Sequence, residues 1–301
     1  MNLCGLEQEF QKRGITAQLK VALAPYTTFR IGGPCEMLVK PKTITELSEA
    51  FSLVKSSGAP YYFLGNGSNL LVSDEGYPGI VLLTTGLSCI SFPEDSLMEC
   101  EAGVSLSKLC STALEHSLAG AEFAWGIPGS VGGAVYMNAG AYGGEIKDIL
   151  ESCTFFSREG DLCTLPGDHL ELSYRHSRFS DCGDLIVSAR FRLHPDSPQA
   201  IKDRMDDYIG RRKSKQPLEY PSAGSTFKRP EGNYAGALIE QCGLKGCSVG
   251  GAQVSEKHSG FVINRGGATC SDVLKLIEKI KTTVYRQTGC QLECEIKTLG
   301  L

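Results

Sequence analysis

Apolar residues recur along this chain in two different periods. Leu47, Ala50, Phe51 and Val54 have helical spacing, follow the Thr43/Glu46 pair of a capping box, and precede Gly58 as a stop. They predict a helix between Thr43 and Gly58, and the run Tyr61-Tyr-Phe-Leu64 behind it reads as a strand. Leu106, Leu109, Cys110, Ala113 and Leu114 predict a second helix, with Gly120 beyond it. From Asp184 to Leu193 the period becomes two. Leu185, Val187, Ala189, Phe191 and Leu193 share one face, opposite Ser188, Arg190 and Arg192, which predicts a half-buried, antiparallel strand.

His194-Pro-Asp-Ser-Pro198 interrupts this pattern and reads as a linker. Ile201, Met205, Tyr208 and Ile209 predict a short helix, and the stretch from Lys213 to Pro230 reads as irregular and basic. Val273, Ile277, Ile280 and Val284 place a last helix from near Ser271 or Asp272 to Gly289. Gln291 to Thr298 then alternates, with Leu292, Cys294 and Ile296 against Glu293, Glu295 and Lys297, as a final strand would. The elements fall into one region up to about residue 195 and another from about 199, and a ligand between two such regions is the default expectation.

Composition narrows the class. A chain of 301 residues, 42% hydrophobic and 21% charged, suits a globular enzyme. A formal net charge of −4 argues against a dedicated nucleic-acid binder. No apolar window is long enough for a membrane span, and the first thirteen residues lack the apolar core of a secretory signal. Thirteen cysteines, an odd number with no Cys-x-x-Cys pair, favour neither a disulfide framework nor a metal site. They read as small buried hydrophobes of a reducing cytoplasm.

Chemistry enters with the glycines. Gly126-Ile-Pro-Gly-Ser-Val-Gly-Gly-Ala134 holds four glycines in eight residues, and Leu64-Gly-Asn-Gly-Ser-Asn-Leu-Leu71 is a second such loop. Two glycine-rich loops with side-chain donors point to a large phosphate-bearing ligand held by main-chain N–H groups; either alone could be a tight turn with no ligand. Neither is a Walker loop, since Gly-Lys-Ser/Thr is missing, and neither has the Rossmann spacing.

The ordered set of motifs resembles the UDP-N-acetylenolpyruvoylglucosamine reductases. It runs Tyr26-Thr-Thr-Phe-Arg-Ile-Gly-Gly33, the two glycine loops, Met137-Asn-Ala-Gly-Ala-Tyr142, Tyr174-Arg-His-Ser-Arg-Phe179 and Pro221-Ser-Ala-Gly-Ser-Thr-Phe-Lys-Arg-Pro230. Glu240-Gln-Cys-Gly-Leu-Lys-Gly246, Ser255-Glu-Lys-His-Ser-Gly-Phe-Val-Ile-Asn264 and Glu295-Ile-Lys-Thr-Leu-Gly300 complete it, so the resemblance covers nearly the whole chain.

The resemblance implies an α+β chain: an FAD-binding fold of the vanillyl-alcohol-oxidase (PCMH) type in two subdomains, plus an α+β substrate-binding domain. The corresponding ranges are 25–195 for the FAD domain, in subdomains of roughly 25–88 and 89–195, then 199–295 for the substrate domain and 296–301 for a returning tail. It implies FAD as cofactor and NADPH as co-substrate. Gly65, Asn66, Gly67, Ser68, Asn69 and Leu70 would hold the pyrophosphate. Gly126, Ile127, Pro128, Gly129, Ser130, Gly132, Gly133 and Ala134, with Asn138, would pass beside the flavin and the rest of the cofactor. NADPH would reduce the flavin and leave, and an enolpyruvyl sugar nucleotide would take its place. The expected partners are these small molecules, with no nucleic acid, membrane or obligatory protein partner.

The same resemblance assigns Ser225 as the proton donor, with Lys228 as a candidate to stabilise its alkoxide, and Arg175 and Glu295 as the groups at the substrate carboxylate. Glu295 would need a raised pKa for that work. Tyr174, Lys215, Lys228, Lys257 and His258 are the candidates for the rest of the substrate, the cations for its diphosphate. Without the motifs, Ser225 is an ordinary turn serine, Arg175 a surface arginine and Glu295 a solvated strand carboxylate. Only about thirty-five residues separate Tyr174 from Ile209, too few for the tyrosine-bearing insertion of some members, and Arg229 stands where others have asparagine. The chain therefore resembles the shorter subtype. A flavin-dependent alcohol oxidase of the same fold and a non-catalytic nucleotide-binding protein are the alternatives; neither glycine loop offers a His or Cys for covalent flavin.

Overall fold

Thr43 Oγ1 accepts the Glu46 N–H at 3.1 Å and opens a helix over Ile44–Ser57 that ends on Gly58. The Glu46 carboxylate turns back to the Lys42 N–H at 2.8 Å, so the cap is spread over two residues and is not the reciprocal box expected. Leu47, Ala50, Phe51 and Val54 are all buried, as their spacing requires. The strand Tyr61–Leu64 follows and pairs in parallel with Tyr77–Leu83.

The computed structural model describes residues 3–301, and the chain forms two compact units. The first takes the residues up to Leu19, Met37–Asn66 and Gly79–Arg211; the second takes Lys20–Glu36, Gly67–Pro78 and Arg212–Leu301. One sheet has the strand order Thr16–Ala22, Pro34–Lys40, Tyr77–Leu83, Tyr61–Leu64. Leu6, Phe10, Leu47, Phe51, Ile80 and Leu82 share a core in the first unit.

A second sheet of the first unit, antiparallel throughout, runs Leu162–Pro166, Leu150–Phe156, Leu185–Arg192, Leu97–Glu101, Ile90–Glu94. Its central strand is less simply half-buried than its alternation predicts. Leu185 and Val187 enter the core of Phe51, while Ile186, Ala189 and Phe191 enter a separate core with Leu106 and Val131. Ser188 is buried too and reaches Glu99 at 3.1 Å; only Arg190 and Arg192 stay exposed. A central strand between two cores gives up most of its solvent face, keeping only the Arg190 and Arg192 positions in water.

The expected linker is partly ordered, since His194–Pro195 pairs with Leu118–Ala119. The helix after it is long, Pro198–Lys215, although its apolar stripe stops at Ile209. The added turns rest on charge: Arg211 pairs with Asp207 at i,i+4, and Arg212, Lys213 and Lys215 face the negative end of the helix dipole. Arg204 of this helix holds the buried Glu122 carboxylate with two donors at 2.7 and 3.0 Å, and Gly120 N–H adds a third at 2.7 Å. That carboxylate stands just before the Gly126 loop.

In the second unit, an antiparallel sheet of order Ser222–Ser225, Phe261–Asn264, Ala252–Val254, Ser248–Val249 lies in one core with the helix Cys270–Thr288. The strand Ser222–Ser225 lies inside the stretch expected to be irregular. The last helix starts at Cys270, because Thr269 and Asp272 form a capping box and the Asp74 carboxylate accepts the Cys270 and Ser271 N–H groups at 2.7 and 3.0 Å. The final segment is not one continuous strand. Cys294 bridges Phe227, and only Lys297–Leu299 forms a strand, parallel to Leu70–Val72. It changes partner midway, which period-two alternation cannot reveal.

All thirteen cysteines are free. Five are buried, six partly buried, and Cys4 and Cys89 are exposed, so the expectation of buried hydrophobes does not extend to those two. Burial pushes the Cys100 thiol up to about 12 and Cys270 up to about 11, so both stay protonated and apolar. Among the described residues no helix is long and apolar enough to cross a membrane.

Asp74 caps a helix from a distance in sequence. Asp74→Ala should lower stability by about 1–2 kcal/mol. The check is the urea midpoint at unchanged slope; an unmoved midpoint would mean that the Thr269 cap suffices alone.

Candidate functional site

The first glycine loop leaves the strand Tyr61–Leu64 through Gly65 and Asn66 and continues as Gly67, Ser68 and Asn69 into the strand Leu70–Val72. Gly67 has φ +58, and a Cβ there would overlap the Tyr26 carbonyl, so only glycine fits. Its carbonyl accepts the Thr28 N–H at 3.3 Å. Among the described residues nothing accepts from the N–H groups of Gly67 and Ser68. Adjacent unspent N–H groups in a turn with a left-handed residue form an anion-binding concavity, which fits a pyrophosphate. Asn69 anchors the far side: its Nδ2 donates to the Glu295 carbonyl at 3.1 Å, and its carbonyl accepts the Lys297 N–H at 2.9 Å.

The second loop is built differently. Ser130 caps the short helix Val131–Tyr136, and its Oγ accepts the Gly133 N–H at 3.4 Å. The Val131 and Gly132 N–H groups go to the Val104 and Ala102 carbonyls, both at 2.8 Å, and Ala134 N–H goes to the Ser130 carbonyl at 2.8 Å. The expectation that both loops offer main-chain N–H groups to phosphate is therefore corrected at these positions. The glycines here serve close packing: a Cβ on Gly132 would stand 3.0 Å from Ala102 Cβ. The two loops do meet. A Cβ on Gly65 would overlap Ser130 Oγ, and Asn66 Nδ2 lies 3.5 Å from the Pro128 carbonyl. Gly126, with φ +81, Ile127 and Gly129 complete the turn beside Pro128.

Arg175 sits at the tip of a two-residue hairpin. Ser173 and His176 exchange backbone bonds of 3.1 and 3.2 Å, and Arg175 takes φ +57, a left-handed conformation uncommon outside glycine. Its guanidinium lies 5.1 Å from the Tyr174 ring, and that ring is exposed. Asn138 does not project freely: its Nδ2 donates to the Ser173 carbonyl at 3.1 Å and to Glu145 Oε2 at 2.6 Å, and its Oδ1 accepts the Lys147 N–H at 3.0 Å.

Ser225 ends the strand Ser222–Ser225, whose register with Phe261–Asn264 shifts between Ser222 and Ser225. Gly224, at φ +76, allows this bulge, which re-aims the following side chain. Thr226 next to it is buried; its Oγ1 accepts the Val262 N–H at 3.0 Å and its carbonyl accepts the Glu295 N–H at 2.9 Å. The second unit thus brings Ser225 and Glu295 within one backbone hydrogen bond of each other. Thr226 was not singled out from the sequence, although its place beside Ser225 in the motif was the available signal.

The cations divide by their present partners. Lys228 Nζ pairs with Glu293 at 3.2 Å, both partners largely exposed. Lys257 Nζ donates to the Lys213 carbonyl at 2.7 Å, near the end of the helix that closes on the exposed Lys215. His258 Nδ1 accepts the Gly260 N–H at 3.1 Å, so the neutral imidazole carries its proton on Nε2. Burial holds its pKa below the ordinary value of 6.5, against an upward pull from its backbone hydrogen bond and from Glu240. The Arg229 guanidinium lies 4.0 Å from the Tyr234 ring, a contact the sequence reading did not anticipate.

Comparison with known proteins points to one family. An FAD binding domain model matches residues 35–166, and a model of the UDP-N-acetylenolpyruvoylglucosamine reductase C-terminal domain matches residues 216–299. The UDP-N-acetylenolpyruvoylglucosamine reductase of Clostridium botulinum (strain Hall) is 46% identical over 275 residues, covering 91% of this chain and 90% of the relative. That of Agathobacter rectalis is 50% identical over 287 residues, covering 91% of each. The crystal structure of the Thermus caldophilus enzyme (MurB) superposes with a TM-score of 0.82 at 36% identity, over 95% of this chain and 99% of that one.

His258 gives a pH test. Its folded pKa is lowered, so the unfolded chain binds its proton first as pH falls, and stability is lost below about pH 6.5. His258→Asn, which keeps an acceptor for the Gly260 N–H, should show a smaller drop in urea midpoint between pH 7 and pH 5.5 than the parent (conditions chosen about the reference imidazole value). Equal drops would remove His258 from the account.

Proposed function

The chain belongs to the UDP-N-acetylenolpyruvoylglucosamine reductase family, and from that premise we propose that it reduces UDP-N-acetylglucosamine enolpyruvate to UDP-N-acetylmuramate with NADPH, in cytoplasmic peptidoglycan precursor synthesis. It is an oxidoreductase with an FAD-binding fold. The observation that carries the reading is the Thr226–Glu295 backbone bond, which joins the two motifs assigned to proton delivery and to the substrate carboxyl.

Gly67 and Ser68 would hold the FAD pyrophosphate through their unspent N–H groups, with Gly65, Asn66, Asn69 and Leu70 shaping the turn. FAD, when bound, supplies the hydride equivalent drawn from NADPH. The side chains do the rest. Addition at the terminal enolpyruvyl carbon moves negative charge onto the substrate carboxylate, and Arg175 meets that charge with a planar, permanently charged guanidinium. Ser225 Oγ holds the proton that closes the adjacent carbon. Glu295 shares a proton with the substrate carboxyl. The Gly224 bulge supports Ser225 in this role, because it turns that side chain out of the regular pleat. Lys215, Lys228, Lys257, His258 and Tyr174 remain the candidates for the sugar nucleotide.

The test begins with the absorbance spectrum of the purified protein, followed by NADPH titration with and without the enolpyruvyl sugar nucleotide. A flavin spectrum that bleaches with NADPH and recovers with the substrate is expected. A colourless protein that takes up no FAD would overturn the reading, and bleaching by an alcohol without NADPH, followed by reoxidation with oxygen, would favour the oxidase alternative. Ser225→Ala should still bleach with NADPH while turnover of the enolpyruvyl sugar falls by roughly 100-fold or more, a general-acid contribution; full turnover would remove Ser225 as the proton donor.

A further inference from the structure

We infer that Asn138 is a positioning residue for Arg175 and not a ligand of the cofactor. This rests on the role proposed above for Arg175 at the substrate carboxylate. Asn138 is 1% exposed and lies just beyond the helix Val131–Tyr136, at φ +42. Both ends of its amide are spent inside the protein. Nδ2 donates to Glu145 Oε2 at 2.6 Å and to the Ser173 carbonyl at 3.1 Å, and Oδ1 accepts the Lys147 N–H at 3.0 Å. An amide carries two N–H donors, so its donor capacity is used up by these contacts.

The Ser173 contact gives the amide its purpose. Ser173 is the first residue of the hairpin that carries Arg175, and its N–H and carbonyl close that hairpin against His176. On the other side of the hairpin, the fully buried Ser177 donates its Oγ proton to the Tyr136 carbonyl at 2.7 Å. Two residues apart on the segment leaving the short helix, Tyr136 and Asn138 therefore grip the hairpin at both of its roots. Arg175 stands between those roots in a left-handed conformation that the chain would leave if released. Glu145 is itself held, since its carboxylate also takes Lys147 Nζ at 3.0 Å. A helix exit at positive φ accepts asparagine or glycine alike. Glycine would satisfy the backbone there, so the asparagine side chain is needed for what it holds.

Asn138→Gly separates the two jobs, because it keeps the helix exit and removes only the amide. The variant is expected to keep its FAD content and to be reduced by NADPH within about twofold of the parent rate, while turnover of the enolpyruvyl sugar nucleotide falls roughly 10- to 100-fold, the scale of a misplaced catalytic group. Calorimetry on the oxidised protein gives a readout independent of turnover. The parent should prefer the enolpyruvyl sugar nucleotide over the same nucleotide sugar without the enolpyruvyl group, and the variant should lose most of that preference. Ser177→Ala, which cuts the other root, should lose it as well, and this second variant decides the matter if Asn138→Gly does not fold. Loss of FAD, or slowed reduction by NADPH in step with turnover, would make Asn138 a cofactor residue and overturn the inference. An unchanged carboxylate preference in the folded variants would overturn it too. If NADPH fails to reduce the parent protein, the functional reading falls first and this inference with it; a normally reduced parent beside unimpaired variants removes the positioning role alone.

Discussion

The backbone of Glu295 is bonded on both sides, and the second unit is organised around that fact. Its N–H reaches the Thr226 carbonyl at 2.9 Å, and its carbonyl accepts from Asn69 Nδ2 at 3.1 Å. One peptide segment therefore fixes the distance between the Ser225 motif and the end of the first glycine loop. Two residues later Lys297 enters the parallel pairing with Leu70, and the buried Leu292 and Ile296 hold the segment down. A backbone bond has little freedom to slip, whereas a side-chain contact of the same length could swing. In the roles proposed for Glu295 and Ser225, these main-chain bonds fix where the two side chains begin.

The same logic explains why glycine and strain are concentrated where they are. Gly67 gives the first loop a conformation and a closeness to Tyr26 that no other residue permits. The second loop spends its N–H groups on Val104 and Ala102 and so becomes a wall. Two loops of similar composition thus differ in what their N–H groups do: those of Gly67 and Ser68 have no acceptor among the described residues, while those of Val131 and Gly132 are bonded within the protein.

Much of this was legible beforehand. The helix from Thr43 to Gly58, the last helix before Gly289 and the strand leading into Gly65 follow from periodicity and caps, because local spacing determines them. The order of motifs carried the family. What was not legible depended on partners remote in sequence. Asp74 sets the first turn of the last helix from almost two hundred residues away. The segment after Gln291 looks like one strand because its alternation is genuine, yet its two halves pair with different neighbours. Leu185–Arg192 alternates as a half-buried strand would, but its position at the centre of a sheet between two cores buries Ile186 and Ser188 as well. Asn138 falls in a glycine-rich motif beside the expected cofactor loop, and only its hydrogen bonds reveal that it faces inward.

The cations proposed for the substrate diphosphate are not equivalent once their present partners are weighed. Lys228 is paired with Glu293 on an exposed surface, and such a pair is worth about 0–1 kcal/mol, so an incoming diphosphate can take the ammonium at little cost. Lys257 donates to the Lys213 carbonyl near a helix end, where it also answers the dipole, and releasing it would leave that carbonyl to water. His258 is held neutral by burial and can offer a phosphate one N–H but no charge. Lys228 is thus the most available charge among these three. It also follows Ser225 by three residues on a segment that the Glu293 carbonyl holds through the Lys228 N–H at 2.9 Å. A substrate that draws Lys228 away from Glu293 would bind beside the proposed proton donor while the backbone that places Ser225 stays where it is.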